Sequence, residues 1–246
     1  MSLWFVVPAH GRLPLTRICL RQLRRTCDAL VAEGIEASAV VIACDENLDT
    51  ARELGFGTVE RDNNFVSKRF NDGIQLACDP TFNPRPADYV VPCGSDDWVD
   101  HRIFLELPPS DVMLAFQRIS FVREDGREMT TRFLNYHGGC GIRVYPRQIM
   151  ECLGYRPADE DRRRACDTSI LTNLTRARVI RIRYGEIDSR QIVDWKSPGL
   201  QLNPYQTLRR FHSEAESDPF EQLADIFSAD ALAEMQAHYA RELVPA

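Results

Sequence analysis

Two adjacent carboxylates, Asp96 and Asp97, follow the apolar run Tyr89 to Val91 and a break at Pro92, Gly94 and Ser95, and Trp98 comes directly after them. Ionised carboxylates set side by side just beyond a buried strand are costly to hold together unless a cation lies between them. A divalent metal carrying a phosphorylated ligand fills that role, because Mg²⁺ and Mn²⁺ favour one or two carboxylates together with phosphate oxygens. The plainer alternative is a polar turn after a strand, where Ser and Asp are common. What decides between them is whether other elements deliver matching chemistry to the same place.

The first hundred residues predict such elements. Leu3 to Val7 is a compact apolar run closed by Pro8, which reads as a central strand leading into the loop Ala9-His10-Gly11-Arg12. Leu13 to Glu33 carries apolar residues at helical spacing and stops at Gly34. Ala37 to Cys44 is a second buried strand ending on Asp45. Strand, helix and strand of these lengths make a βαβ unit with parallel strands and a right-handed crossover. A short helix around Thr50 to Leu54, a strand at Gly57 to Glu60 and a helix at Val66 to Cys78 lead to the strand at Tyr89. Ligands of open parallel sheets bind outside the carboxyl ends of the strands, so Pro8 to Arg12, Asp45 and Asp96-Asp97 share one edge.

Beyond Asp100 the pattern predicts a helix at His101 to Leu107, a strand over Val112 to Val122, and a hairpin turn at Glu124 to Arg127. A returning strand at Met129 to Leu134, the Gly-rich loop 138–141 and a strand at Ile142 to Tyr145 follow. Helices at Arg147 to Leu153 and Cys166 to Leu174 flank a charged stretch at Pro157 to Arg164. A strand at Val179 to Tyr184 comes next, and two amphipathic helices, Pro219 to Phe227 and Ala229 to Leu243, close the chain. The expected organisation is one domain over 1–215, with a nucleotide-binding half at 1–100 and an acceptor half at 101–215. Residues 216–246 form a C-terminal helical appendage.

With 246 residues, 44% hydrophobic and 27% charged, the chain is long and apolar enough for one sizeable core. A formal net charge of −6 argues against a general nucleic-acid binder. Arginine carries nearly all positive charge, lysine occurring only at 68 and 196. Eight cysteines form no C-x-x-C pair and several sit inside apolar runs, which reads as free thiols in a reducing compartment. No charged leader and no apolar run approaching membrane length are present, so no membrane span and a cytoplasmic location, host cytoplasm for a viral protein, are expected.

Four segments, in order, resemble the GT-A-fold glycosyltransferases, particularly the large inverting family 2 that uses nucleotide sugars. They are Val6 to Arg12, Val41 to Asp45, Asn63 to Ala77 with Asn71, Gly73 and Ala77 in the family's places, and Tyr89 to Trp98. The resemblance implies a mostly parallel α/β sheet of Rossmann type flanked by helices, with a small antiparallel acceptor-side part. It implies a nucleotide-sugar donor, most readily a UDP-sugar, held by Pro8, Ala9, His10, Arg12, Asp45, Lys68, Asn71 and Asp96. Asp45 can accept a hydrogen bond from a base N–H, and Lys68 or Arg69 can offset diphosphate charge. Asp97 would coordinate Mn²⁺ or Mg²⁺, with Asp96 sharing the metal or binding ribose, and the metal would stabilise the departing nucleoside diphosphate.

The second half is less similar. Cys166-Asp167-Thr168 resembles the family's acidic helix motif, which makes Asp167 the candidate general base, with Asp159, Glu160 and Asp161 as rivals. Gly138, Gly139 and Gly141 resemble the acceptor loop, and Asp188 stands nearest the place of a further metal ligand, with His212 beyond it. The chain departs from the family at Gly94, where an earlier acid is frequent, at Phe70, where Arg is frequent, and at Cys166, which precedes a single acid instead of a pair. The expectation is a metal-dependent hexosyltransferase acting on a hydroxyl of a protein, glycan, lipid or modified base. A sugar-phosphate nucleotidylyltransferase and a non-catalytic nucleotide-sugar or glycan-binding domain are the alternatives.

Overall fold

The computed structural model describes residues 1–133, 142–161, 166–178, 181–197 and 215–242. Strand β1 (Ser2–Pro8) lies at the centre of the main sheet because both of its faces are apolar and both are covered. Leu3, Phe5 and Val7 pack towards helix α1 (Leu13–Ala32) through Leu20, Leu23, Cys27 and Leu30. Val6, pointing the other way, packs with Ile74, Ala77 and Cys78 of α3 (Val66–Cys78). This period of two along the strand places the two helices on opposite faces of the sheet. Strand β2 (Glu36–Ala43), helix α2 (Asn47–Glu53) and strand β3 (Gly57–Glu60) continue the parallel winding outward on one side of β1.

Strand β4 (Tyr89–Pro92) pairs with β1 on the opposite side from β2, so the strand order reverses between β1 and β4. That reversal opens a crevice at the carboxyl ends of the two strands. Beyond β4 the sheet continues through β9 (Arg143–Pro146), β6 (Met113–Phe116) and β10 (Ile182–Gly185), of which only β9 runs antiparallel. The seven-stranded order is β10-β6-β9-β4-β1-β2-β3. A second, mostly antiparallel sheet has the order β12-β8-β7-β11-β5. Its strands are β5 (Asp97–Val99), β7 (Arg118–Val122), β8 (Glu128–Phe133), β11 (Ile192–Trp195) and β12 (Ala215–Ser217). A mostly parallel sheet flanked by helices, with a small antiparallel sheet beside it, is the α/β architecture that the sequence resemblance implies.

The first half follows the sequence pattern closely, and α3 and β3 have the predicted bounds. Several elements differ, among them the helix expected at Pro219 to Phe227, which spans only Pro219–Gln222. The single strand expected over Val112 to Val122 is two, because the chain changes sheet at Gln117: β6 belongs to the main sheet and β7 to the second. The helix expected at His101 to Leu107 is only a 3-10 turn, His101–Phe104, capped by Asp100. The short strands β5, β11 and β12 have no counterpart in the sequence reading.

Helix α4 (Arg147–Glu151) follows β9, and α5 (Cys166–Arg176) lies further along, with Ile170 and Leu174 in the core cluster on the α3 face. The chain ends in α6 (Pro219–Gln222) and α7 (Ala229–Glu242). Ala231, Leu232, Met235 and Tyr239 of α7 share one buried cluster with Trp98, Trp195 and the α1 residues Leu15 and Ile18. Among the described residues, no helix is long and apolar enough to cross a membrane.

Gly73 of α3 shows how tightly the layers meet. A Cβ there would lie 2.4 Å from Val6 Cγ1 and 2.6 Å from Ile42 Cδ1, both in fully buried residues. Gly73→Ala should therefore cost about 1–3 kcal/mol through overpacking. Its melting midpoint should fall by roughly 3–10 °C. An unchanged midpoint would mean that α3 can shift away from the sheet.

Candidate functional site

Asp45 lies two residues beyond β2 and organises the loop after β1. Its Oδ2 accepts the Gly11 amide at 2.8 Å, and its Oδ1 accepts the Asn47 amide at 3.1 Å and Asn47 Nδ2 at 2.7 Å. Asn47 Nδ2 also reaches the Gly11 carbonyl at 3.3 Å, and His10 Nδ1 lies 3.6 Å from Asp45. The loop held this way has both Gly11 and Arg12 at positive φ, +58° and +47°. Gly11 takes this conformation freely, whereas Arg12 takes it at a cost of about 1–2 kcal/mol. Asp45, Gly11 and Arg12 thus form a chain of contacts from β2 across β1 toward β4.

Arg12 spans the crevice. Its Nη1 donates to Asp96 Oδ2 at 2.6 Å and its Nη2 to Ser95 Oγ at 3.1 Å. The guanidinium is held above its ordinary pKa: burial works against the charge, and Asp96 more than offsets it. Beneath this loop, Arg69 of α3 is buried and donates to the Ala9 carbonyl at 2.9 Å, while the Ala9 amide donates to the Ile42 carbonyl at 2.9 Å. The segment from Pro8 to Arg12 is fixed from below and from the side.

Among the described residues the acid cluster has three members, not two. Strands β5 and β11 pair antiparallel with Asp97 directly opposite Asp194 and Trp98 opposite Val193. Alternation along both strands turns Asp97 and Asp194 to one face and Trp98 and Trp195 to the other. The two indoles meet at 5.0 Å and are fully buried, so the cross-strand pair is rigidly seated. Asp96 completes the group: one carboxylate oxygen from each of Asp96, Asp97 and Asp194 lies within 4.8 Å of the other two. Like charges facing each other across a ladder are destabilising, so the arrangement calls for cations.

Among the described residues, two cations are built in. Arg12 pairs with Asp96, and Lys196 Nζ lies 2.5 Å from Asp194 Oδ2. Three carboxylates against two cations still leave one negative charge in excess. Burial, then Asp194 and Asp96, push the Asp97 carboxyl well above the usual range, against the opposing Gly94 amide and Lys196. Burial raises Asp194 to about 6 despite Lys196 beside it. Burial lowers the basicity of Lys196, but Asp194 and Asp96 outweigh it and hold the ammonium above its usual value. Among the described residues, Asp194 Oδ1 is buried without a hydrogen-bond partner. An orphaned carboxylate oxygen among three oxygen donors, with charge uncompensated, fits a hard divalent ion such as Mg²⁺ or Mn²⁺.

Gly94 has a local reason to be glycine. Its amide donates to Asp97 Oδ2 at 2.7 Å, and a Cβ would sit 2.8 Å from Asp97 Oδ2 and 3.0 Å from Asp96 Oδ1. An acid at 94 has no room, and the third carboxylate comes from β11 instead.

Asp188 is not part of the cluster, which corrects its expected metal role. It caps the 3-10 turn Ser189–Gln191, accepting the Arg190 amide at 2.9 Å and Arg190 Nε at 3.0 Å, and Arg190 lowers its pKa. Its effect is to start β11, six residues ahead of Asp194. Asn71 faces inward rather than toward the crevice: its Nδ2 donates to the Ala158 carbonyl at 2.8 Å and its Oδ1 accepts the Ala158 amide at 2.9 Å. Asn71→Ala would strand both backbone groups and should cost about 2–4 kcal/mol. Its melting midpoint should fall accordingly, and an unchanged midpoint would reverse this assignment.

Lys68 is half-exposed near the start of α3. Asp167 lies in the first turn of α5, and nothing of its side chain is described. Of its rivals, Glu160 is bound to Arg156, Asp159 accepts Asn173 Nδ2 at 3.1 Å, and Asp161 is exposed. Gly138, Gly139, Gly141 and His212 lie outside the described residues. Asp194 and Lys196 escaped the sequence reading. Their available signal was the Asp-Trp pair, which occurs at 97–98 and again at 194–195, followed by one of only two lysines.

No family model matches the chain, and no curated protein matches it in sequence. Among solved structures, it is similar to a β-1,4-galactosyltransferase 7 mutant from Drosophila in complex with manganese, UDP-Gal and xylobiose. The identity is 13%, with 74% of this chain and 64% of that one covered, at a TM-score of 0.46. It is also similar to glucosyl-3-phosphoglycerate synthase from Mycobacterium tuberculosis in complex with Mg²⁺ and UDP. There the identity is 11%, 84% and 74% of the two chains are covered, and the TM-score is 0.49. A mannose-1-phosphate geranyltransferase from Thermus thermophilus aligns at 10% identity over 80% and 75%, with a TM-score of 0.41. The chain spans about two thirds of the length of the galactosyltransferase.

Proposed function

We propose that the chain is a metal-dependent transferase that moves a sugar from a nucleotide sugar, a UDP-sugar in the first instance, to a hydroxyl acceptor. The observation that carries this reading is the convergence of Asp96, Asp97 and Asp194 with Arg12 at the crevice where the strand order reverses. That crevice is where an open α/β sheet holds a nucleotide, and three hard oxygen donors there suit a cation bound to a diphosphate.

In this reading Asp97, Asp194 and Asp96 hold Mn²⁺ or Mg²⁺, which when bound stabilises the charge of the leaving nucleoside diphosphate. Asp45 has one carboxylate lone pair beyond the three hydrogen bonds it accepts among the described residues, and it presents that site to the base N–H. His10 and the Pro8–Ala9 backbone line the same loop, and Lys68 supplies positive charge from α3. Asp167 takes the proton of the acceptor hydroxyl as its oxygen attacks the anomeric carbon. The bond to the diphosphate oxygen breaks as the new bond forms. Gly138, Gly139 and Gly141 let the acceptor approach the backbone.

Incubating the protein with a panel of nucleotide sugars tests the donor half without knowledge of the acceptor. UDP-sugars should be hydrolysed slowly with Mn²⁺ and not with a chelator. Absence of UDP binding by calorimetry with and without Mn²⁺ would overturn the reading, and so would pyrophosphate release from a nucleoside triphosphate.

A further inference from the structure

We infer that Lys196 is a resident cation of the acid cluster that competes with a divalent metal for Asp194 and gives it up when a diphosphate arrives. This rests on the metal site proposed above and adds a coupling between the two ligands. In a chain that uses arginine for nearly all its positive charge, position 196 holds one of two lysines. Its side chain is only 7% exposed, yet among the described residues its ammonium has a single hydrogen-bond partner, Asp194 Oδ2 at 2.5 Å. Its remaining environment includes the face of Phe121, whose ring centroid lies 5.4 Å away. A compact ammonium on a flexible stem can leave one anion for another, where a guanidinium fork could not do so as readily.

The backbone around it cannot follow such a movement. The Lys196 amide donates to the Val122 carbonyl at 3.1 Å, and its carbonyl accepts the buried Tyr239 hydroxyl at 2.6 Å. Any such movement is left to the side chain. Charge decides the direction. The three carboxylates exceed Arg12 and Lys196 by one negative charge, so adding a divalent ion with both cations in place leaves one positive charge in excess. Metal and ammonium then repel each other across Asp194. A diphosphate removes that excess by taking the displaced ammonium, so metal and nucleotide should each tighten the binding of the other.

The test is Mn²⁺ binding to the full chain, followed by electron paramagnetic resonance with and without UDP, for wild type, Lys196→Gln and Lys196→Arg. Wild type should bind Mn²⁺ weakly alone and more tightly with UDP. Lys196→Gln should bind Mn²⁺ alone about tenfold or more tighter than wild type and gain less from UDP. Lys196→Arg, which keeps the charge and can grip Asp194 with two donors, should bind Mn²⁺ alone no tighter than wild type, and this arm stands even if the Gln variant does not fold. Equal Mn²⁺ affinity of wild type and Lys196→Gln, or tighter binding by Lys196→Arg, overturns the role of Lys196 and leaves the transferase reading intact. No Mn²⁺ binding by any of the three, with or without UDP, removes the metal site and this inference with it.

Discussion

Asp97→Asn is expected to give a protein that is inert toward donors and more stable than its parent when metal-free. The Asn side chain keeps an oxygen for the Gly94 amide, now at 2.7 Å from Asp97 Oδ2, and fits the same volume. What it removes is one of three crowded carboxylates, leaving Asp96 and Asp194 balanced by Arg12 and Lys196. Removing a carboxyl that must either carry an uncompensated charge or take up a proton on folding is stabilising by on the order of 1–3 kcal/mol, a rise of several degrees in melting midpoint. The pH dependence has a definite sign. Burial raises Asp97 well above its ordinary value and Asp194 to about 6, so the folded state holds protons that the unfolded chain has already released. Between about pH 4 and the raised values, the metal-free wild type therefore loses stability as pH rises. The Asn variant should show a shallower loss over the same window. Mn²⁺ should stabilise wild type above that window and have little effect on the variant. Donor hydrolysis should fall by roughly 10²–10³-fold. A variant that melts below wild type without metal, or that retains Mn²⁺-dependent hydrolysis, would show that Asp97 has a structural role only.

How much of this was legible in the sequence depends on how local each feature is. The strands β1, β2 and β4 are continuous apolar runs buried on both faces, and α1 and α3 show one apolar stripe each, so neighbouring residues carry the whole signal. Asp45, Asp96 and Asp97 drew attention because they stand just beyond those strands. Asp194 did not, because β11 is four residues long and its meaning lies in its pairing with β5, some ninety-seven positions earlier in the chain. No local period reveals that pairing. Asp188 drew attention by its place in the order, but an acid two residues ahead of an Arg at the start of a 3-10 turn serves as its cap. Asn71 was read through family resemblance as a ligand contact, while its amide is spent on both backbone groups of Ala158. Val112 to Val122 read as one strand because both halves are apolar, and only the turn of the chain at Gln117 assigns them to different sheets.

Deleting residues 229–246 should collapse the acid cluster, although none of its carboxylates lies in the deleted segment. Asp97 and Asp194 point one way from their paired strands, and Trp98 and Trp195 point the other, into the cluster that α7 closes. Tyr239 packs at 5.9 Å from the Trp195 ring, and its hydroxyl holds the Lys196 carbonyl. A Cβ at Gly126 would lie 2.8 Å from the Tyr239 ring, so the β7–β8 turn closes on the same side chain. Loss of Leu232, Met235 and Tyr239 from this core amounts to more than about 5 kcal/mol, which is comparable with the whole stability of an ordinary domain. The truncated chain should lose near-ultraviolet circular dichroism from its tryptophans, bind a hydrophobic dye and fail to bind Mn²⁺. Tyr239→Phe is the gentler version: it keeps the ring, strands one buried carbonyl at a cost of about 1–3 kcal/mol, and should weaken Mn²⁺ binding while the chain stays folded. If residues 216–246 are instead an appendage, the truncated chain will melt as wild type does and bind Mn²⁺ equally well. The packing favours the first outcome, since the floor beneath Asp97 and Asp194 is built from both ends of the chain: Leu15 and Ile18 from α1, and Met235 and Tyr239 from α7.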